Sequence, residues 1–421
     1  MYSHENNLSM RKTIGWMVWI TASIFYSYQY ILRVMPSIMM NDILQQFNID
    51  TTTFGQFSGI YYIGYALMHL PLGILLDRFG VKKIMPMCIL LTVLGLLPIL
   101  FSENWFYSIV GRALIGMGSS AAILGIFKII RLIFNEKRFT RMLSFSVTIG
   151  LMGAIYGGGP VNYMCIVLGY KMVTAIFASI GVGLCMVMYC IVPDLKTQPT
   201  ATVISQIKTV FCSAKVIWLC FFAGLMVGPL EGFADVWGNE FLKQVYGLEG
   251  IIAASLPSAI FVGMCFGAPV LSFIAEKTKN DFATIIGAGI AMTACFFVLL
   301  STKIPIMYLS GMFIIVGICC AYQIIAIYKA STYVNEEAVG LTTATANMII
   351  MIFGYAFHSV IGWIINYMGG PENAKAFVYG IAVIPIALSI GVMGLIIIAL
   401  QERNARNKTT VFSLKPKGTN P

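Results

Sequence analysis

The 421-residue sequence has little charge, with Asp, Glu, Lys and Arg together making up 10%, against roughly 25% in soluble domains. A large soluble α-protein is thereby excluded, because its core would need a charged shell that these residues cannot build. The GxxxxGK[ST] phosphate loop is lacking, which excludes ATP-driven pumping. No nucleophile triad and no metal-ligand cluster stands out, so neither an enzyme nor a cofactor nor a metal site is expected. Ten cysteines are present, but none forms a CxxC pair, and most, Cys319 and Cys320 among them, lie in apolar segments. They read as small packing residues rather than disulfides or ligands. A cleavable leader is not expected either. Residues 1–12 are polar, Arg11 and Lys12 close them, and the apolar segment beyond is too long for a signal sequence.

What is present is apolar. Hydrophobic residues make up 58% and the mean hydropathy is +0.85. Apolar runs of about 20 residues, the length that crosses a bilayer as helix, recur along the chain. Stretches such as 84–100 and 383–400 are apolar on nearly every face, unlike the period-two alternation of a transmembrane barrel. The pattern predicts an all-α membrane protein with twelve transmembrane helices. They fall near 14–40, 53–76, 84–102, 106–133, 142–168, 172–192, 215–241, 251–275, 282–301, 306–330, 338–368 and 376–400. The domain reading is an N-terminal six-helix bundle over 1–192, a cytoplasmic linker over 193–214, a C-terminal six-helix bundle over 215–400 and a cytoplasmic tail over 401–421.

Twelve crossings put both termini on one side. The loops on that side hold Arg11, Lys12, Arg78, Lys82, Lys83, Lys137, Arg138, Arg141, Lys196, Lys208, Lys215, Lys277 and Lys279, and the tail adds Arg403, Arg406, Lys408, Lys415 and Lys417. The opposite loops hold Lys171, Lys243, Lys303 and Lys375. Basic residues concentrate in cytoplasmic loops, so both termini are expected in the cytoplasm. The net charge of +10 is therefore a topology signal, and no nucleic-acid partner is expected.

The halves look like copies. A shift of 199 residues lays Phe47 on Tyr246, Asp50 on Glu249, Gly64 on Gly263, Asp77 on Glu276 and Arg78 on Lys277. Six helices separate the copies, so they share one orientation and form a parallel repeat about an axis along the membrane normal.

Between the second and third helices the chain reads Gly73-Ile-Leu-Leu-Asp77-Arg78-Phe-Gly80-Val-Lys82-Lys83. Gly73 would let the second helix approach a neighbour. Asp77 sits at a helix C-terminus, where a negative charge needs cationic partners. An ordinary charged turn would also account for this stretch. Gly73 to Lys83 resembles the loop signature of the major facilitator superfamily. Arg112-Ala-Leu-Ile-Gly116-Met-Gly118 is similar to that family's helix 4 signature, and Gly150, Gly153, Gly157, Gly158, Gly159 and Pro160 loosely resemble its helix 5 pattern. The resemblance covers nearly the whole chain. It implies two pseudo-symmetric six-helix bundles around a central cavity, working by alternating access. It also implies that Asp77, Arg78, Lys82 and Lys83, with Gly73 and Gly80, form a gate latch closed when the cavity faces outward, and that Arg112 is linked to proton movement.

Ionisable groups inside membrane helices are costly and read by default as functional. Tyr26, Tyr30, Arg33 and Ser37 share one face of the first helix. A tyrosine-flanked guanidinium fits recognition of a carboxylate or phosphate; the alternative is an arginine paired permanently to a structural acid. Glu231 and Asp235 lie four residues apart in helix 7, and the repeat sets Arg33 beside Glu231 in depth. Glu231 fits proton uptake and release, since burial disfavours the charged carboxylate. It also fits a substrate ammonium, or neutralisation of Arg33. Asp235 is a further proton-coupling candidate, although it reads as nearer the outer rim. Lys128 either faces the cavity or snorkels, and Arg131 and Lys329 are read as snorkelling. His358 is a further proton candidate because imidazole titrates near neutral pH. Tyr322 and Tyr355 are candidates for the substrate cavity, along with Tyr156, Asn162, Gln323, Asn347 and Trp363.

These residues predict a secondary active transporter of the inner membrane that imports a small carboxylate-bearing nutrient such as an amino acid with protons. Its partners would be that solute, protons and the lipid bilayer, and a monomer is expected. The Tyr26–Ser37 stretch also resembles nutrient importers of intracellular bacteria, although the acid that many proton symporters carry in helix 1 is missing. An organic-anion or organophosphate porter is the alternative; its second arginine in helix 7 is replaced here by Glu231 and Asp235. A solute sensor is a third reading, for which a tail of about twenty residues leaves little room. Drug efflux is a further option, mildly opposed by the charges in the cavity.

Overall fold

The computed structural model describes residues 2–134, 138–193, 213–301, 304–335 and 338–413. Of the expected linker, 194–212 lie outside the described residues, as do 414–421 of the tail; residues 401–413 continue the last helix. The chain is nearly all helix. In order come α1 (Tyr2–Ile38), α2 (Met40–Phe47), α3 (Thr51–Phe79), α4 (Val81–Phe101), α5 (Trp105–Ser119), α6 (Ala121–Ile133), α7 (Phe139–Gly157), α8 (Gly159–Leu168) and α9 (Tyr170–Ile191). After them come α10 (Ala214–Gly224), a π-helical segment (Gly228–Trp237), α11 (Gly238–Tyr246), α12 (Gly250–Ser255), α13 (Ser258–Thr278), α14 (Asp281–Ser301), α15 (Ile306–Cys320), α16 (Tyr322–Ser331), α17 (Val339–Tyr367) and α18 (Ala374–Ser413).

Among the described residues, 9 helices are long and apolar enough to cross a membrane, and up to 11 if each of two bent pairs is one span. α1 is 37 residues long, but Tyr26, Ser27, Tyr28, Gln29, Tyr30 and Arg33 follow closely in its second half and make it less apolar than the others. The two bends fall where continuous helices over 142–168 and 215–241 were expected. α7 and α8 meet at 41°, and the chain from α10 into the π segment turns by 40°. The cause is local. At Gly157-Gly158-Gly159-Pro160 and at Gly228-Pro229, side chains that would stiffen the helix are missing and proline removes a backbone donor.

The helices before residue 192 pack mainly with one another, as do those after 213, and both groups use the same glycine contacts. A side chain at Gly64 would strike the Ala113 carbonyl of α5, and one at Gly116 would strike the Tyr61 carbonyl of α3. In the second group, Gly263 lies against the Ile314 carbonyl and Gly317 against the Ile260 carbonyl. Tyr61 and Ile260, like Gly64 and Gly263, are related by the 199-residue shift. Small residues let membrane helices approach closely and gain dispersion contact where no hydrophobic force between helices exists.

The groups meet along four seams: α3 with α17, α7 with α13, α8 with α12, and α1 with the π segment and α11 that follows it. The α3–α17 seam is the most intimate. Gly55 faces the backbone of His358 and Gly362, Gly59 faces Tyr355, and Gly354 faces the ring of Tyr62. At the end of the seam opposite the chain termini, Thr51 Oγ1 donates to the Gly362 carbonyl (3.2 Å), and Asn366 donates to Asp50 Oδ2 (2.9 Å). Asp50 is also the N-cap of α3, accepting from the Thr53 amide at 2.8 Å, a device worth about 1 kcal/mol to a helix start.

Candidate functional site

Where α1 meets the π segment, a guanidinium lies between two carboxylates. Arg33 Nε donates to Asp235 Oδ2 at 2.6 Å, and Arg33 Nη2 donates to Glu231 Oε2. The Tyr62 hydroxyl, from α3, donates toward the same oxygens of Glu231 and Asp235. Arg33, Glu231 and Asp235 are 7%, 0% and 1% exposed. Asp235 is thus not a rim residue. Four residues on from Glu231, it shares a helix face with that residue, and both acids reach one guanidinium. π segments are rare and are frequent at functional sites.

The second oxygens, Glu231 Oε1 and Asp235 Oδ1, have no hydrogen-bond partner among the described residues. Aromatic rings enclose the cation. The Arg33 guanidinium carbon lies 5.2 Å from the ring centroids of both Tyr30 and Tyr62. His358 of α17 stacks on Tyr62 with centroids 5.5 Å apart, and neither of its ring nitrogens has a protein partner among the described residues. A buried polar group without a partner is disfavoured by about 1–3 kcal/mol.

Arg112 sits one layer behind. Its Nη1 and Nη2 donate to the carbonyls of Leu32 (2.6 Å) and Arg33 (2.8 Å), and its guanidinium lies 4.9 Å from the centroid of Tyr61. Tyr61 in turn donates to Gln29 Oε1 at 2.7 Å. Arg112 therefore grips the backbone of α1 at the residue that carries the ion pair. Nearby, Asn239 of α11 donates to the Ser37 carbonyl at 2.9 Å.

The other expected site residues spread out. Tyr26 is half-buried, stacked edge-on with Tyr30 at 5.2 Å and lying against Gly150. Tyr322 is fully buried and donates to the Ala223 carbonyl at 2.6 Å, a bond within the second group of helices. Tyr355 packs on Gly59 in the α3–α17 seam.

In the loop signature, Asp77 pairs with Lys128 of α6, which supplies the cation its helix end calls for and accounts for a lysine left open between cavity and interface. Arg131 lies over Phe139 at 5.6 Å. Arg78 lies over Phe79 and Lys82 over Tyr189, while Lys83 is exposed. Gly80 has φ +79°, a conformation that favours glycine. Gly73 departs from expectation: a side chain there would meet nothing within 4 Å, so no close helix approach depends on it in this conformation.

Sequence reasoning missed Tyr62, Gln29, Asn239 and the Asp50–Asn366 bond. The adjacent Tyr61-Tyr62 pair inside an apolar helix was the available signal; the others carry no signal apart from the partner they meet.

The profile of the Major Facilitator Superfamily matches residues 18–357. The chain belongs to the major facilitator superfamily. Among curated proteins it is similar to the chloramphenicol resistance protein CraA of Acinetobacter baumannii, 22% identical over 334 residues that cover 76% of this chain and 79% of that protein. Its fold is similar to a bacterial homologue of the human lysosomal transporter Spinster, in an inward-facing and unoccupied conformation, with TM-score 0.71, 16% identity and coverage of 92% and 96% of the two chains. It is also similar to the nucleoside transporter NupG, with TM-score 0.75, 13% identity and coverage of 90% and 99%. Family and fold make this facilitator-superfamily chain a multi-pass membrane transporter of small molecules rather than an enzyme.

Proposed function

We propose that this transporter couples a proton gradient to the import of a small zwitterion such as an amino acid, with Arg33, Glu231 and Asp235 as the site that binds both. The observation that carries the reading is the Arg33 bridge. One guanidinium faces two carboxylates across the meeting of the two helix groups, with a second buried guanidinium, Arg112, one layer behind.

A substrate carboxylate competes with Glu231 for the planar donors of Arg33. The displaced Glu231 then accepts either a proton or the substrate ammonium at its open oxygen, and Tyr62 steadies Asp235. Breaking and remaking this bridge links occupancy to the separation of the helix groups, which are read as two six-helix bundles with twelve spans once α1 and both bent pairs are counted. On that reading both termini are cytoplasmic, the protein works as a monomer in the inner membrane, and the Asp50–Asn366 end of the seam is the outer gate, closed here. The Asp77–Lys128 region is the inner latch. His358, stacked on Tyr62, is a second proton candidate, and Arg112 acts through the backbone of α1.

A second reading has its own support. Because Arg33 is already held by two acids, it is less free to take a substrate carboxylate, which suits a cation or a neutral solute exchanged for protons. CraA, by its name a chloramphenicol resistance protein, and NupG, a nucleoside transporter, lend this weight. Counterflow in proteoliposomes separates the readings, using labelled amino acids, nucleosides, chloramphenicol and sugar phosphates with and without an inward proton gradient. Gradient-enhanced amino-acid uptake that disappears in Arg33→Gln supports the zwitterion site. Amino acids ignored while nucleosides or chloramphenicol move would overturn it in favour of the second reading.

A further inference from the structure

A cavity of about 490 Å³ opens where α14 begins, beside the end of α16 and the final turns of α18. Lys279, Lys329 and Arg403 line it, with Asp281 and Glu402. Of the two acids, Glu402 is already engaged. Glu402 pairs with Lys329 at 3.4 Å and accepts from the Tyr333 hydroxyl. Asp281 lies in the first turn of α14, where the helix dipole favours a negative charge. Lys279 and Arg403 have no carboxylate within salt-bridge distance among the described residues. Among the described residues, two unpaired cations thus share the mouth of one cavity with one unpaired acid, Asp281, which leaves the mouth net positive.

Two independent observations point to what they hold. Lys279 has φ +50°, in the left-handed region; among the described residues Asn48 is the other non-glycine there. A glycine or asparagine would sit in that conformation more easily, so the lysine is held there at a local backbone penalty. The second is depth. The apolar run of α18 ends at Leu400, and Gln401, Glu402 and Arg403 follow. The cavity therefore lies at the level where hydrocarbon gives way to headgroups. Below the cations its wall includes Ile396 and Leu400, which are 37% and 53% exposed. A cationic mouth over an exposed apolar wall matches an amphiphile rather than a soluble ion.

We propose that this cavity binds the phosphate of an anionic phospholipid. Arg403 offers its planar donors to the phosphate oxygens and Lys279 a point charge, while an acyl chain runs along Ile396 and Leu400. The site is separate from the Arg33 bridge and does not rest on any reading of the transported solute.

Native mass spectrometry of the full-length protein, titrated with phosphatidylglycerol, phosphatidylcholine and inorganic pyrophosphate in parallel, tests this. The variants are Lys279→Asn, which suits the left-handed conformation, Arg403→Gln, and the pair. Expected is a phosphatidylglycerol preference over phosphatidylcholine that falls about tenfold in the double variant, the loss of one or two charge-assisted bonds, with the thermal midpoint in detergent unchanged. Arg403→Gln alone should show part of that loss, which keeps the test open if the pair fails to fold. Equal binding of the two lipids, or an unchanged preference in the variants, overturns the site. Pyrophosphate binding as tight as phosphatidylglycerol overturns the lipid as the ligand.

Discussion

The two helix groups are alike in packing and opposite in the charge they bring to their meeting. Gly64 with Gly116 in the first and Gly263 with Gly317 in the second bring the same pairs of helices together over the same kind of carbonyl contact. At their meeting, the first group contributes Arg33, with Arg112 behind it, and the second contributes Glu231 and Asp235. A duplicated scaffold thus keeps what close packing demands and varies what binding demands. Glycine contacts tolerate no side chain in either copy. The residues that face the other group are free to diverge, because complementarity across the interface needs unlike charges.

The sharpest way to break this comparison is at the charges. Arg33→Gln should abolish uptake and lower stability by about 3–5 kcal/mol, because two buried carboxylates lose their cation. Melting in detergent reads the stability. Arg33→Gln combined with Asp235→Asn should recover part of the stability without recovering uptake. Arg33→Lys keeps the charge but loses the fork, so uptake should still fall steeply; normal uptake in that variant would remove the guanidinium from the mechanism.

The packing side is tested by paired substitutions. Gly64→Val and Gly263→Val should each destabilise by about 1–3 kcal/mol or more through overpacking against backbone, and by similar amounts. A large difference between them would mean that the repeat is one of sequence alone. Gly55→Val belongs to the seam between the groups, so it should shift the conformational balance instead. Cysteine labelling along α3 should then show increased access from the Asp50–Asn366 end.

Smaller effects follow. Tyr62→Phe keeps the stacked ring and removes the hydroxyl that bridges the acids, which should slow uptake about tenfold, equivalent to roughly 1.4 kcal/mol, and alter its pH profile. Lys128→Ala frees Asp77 at a half-exposed position, where a pair contributes about 0–1 kcal/mol. Stability should barely change, and any effect should appear in the rate of conformational exchange.

Much of the fold was legible because membranes impose it: a helix that must satisfy its own backbone in hydrocarbon writes its length and apolarity into the chain. Apart from the bends, most helix boundaries read from hydropathy fall within a few residues of those observed; the exceptions are α1, which begins at Tyr2, α2, which was not expected, α11, which runs on to Tyr246, and α18, which runs on to Ser413. The bends at Gly158 and Gly228 were less legible, since glycine and proline signal a weak point without stating whether neighbours will use it. Gly73 shows the opposite error, a motif glycine with no close neighbour in this conformation.

The sequence by itself determined the class, the family and the repeat, because hydropathy, loop charge and the Gly73–Lys83 signature are local patterns that need no partner to be read. It also marked Arg33, Glu231 and Asp235 as unusual, since charge in an apolar helix stands out alone. Only the tertiary structure decided that these three form one cluster, that Tyr62 bridges its acids, that Arg112 holds the backbone of α1, and that Lys279 and Arg403 share a cavity. Those are facts of contact between helices far apart in the chain. A contact depends on the rotation and bend of both helices, which the π segment and the glycine seams set through packing rather than through any pattern along the sequence.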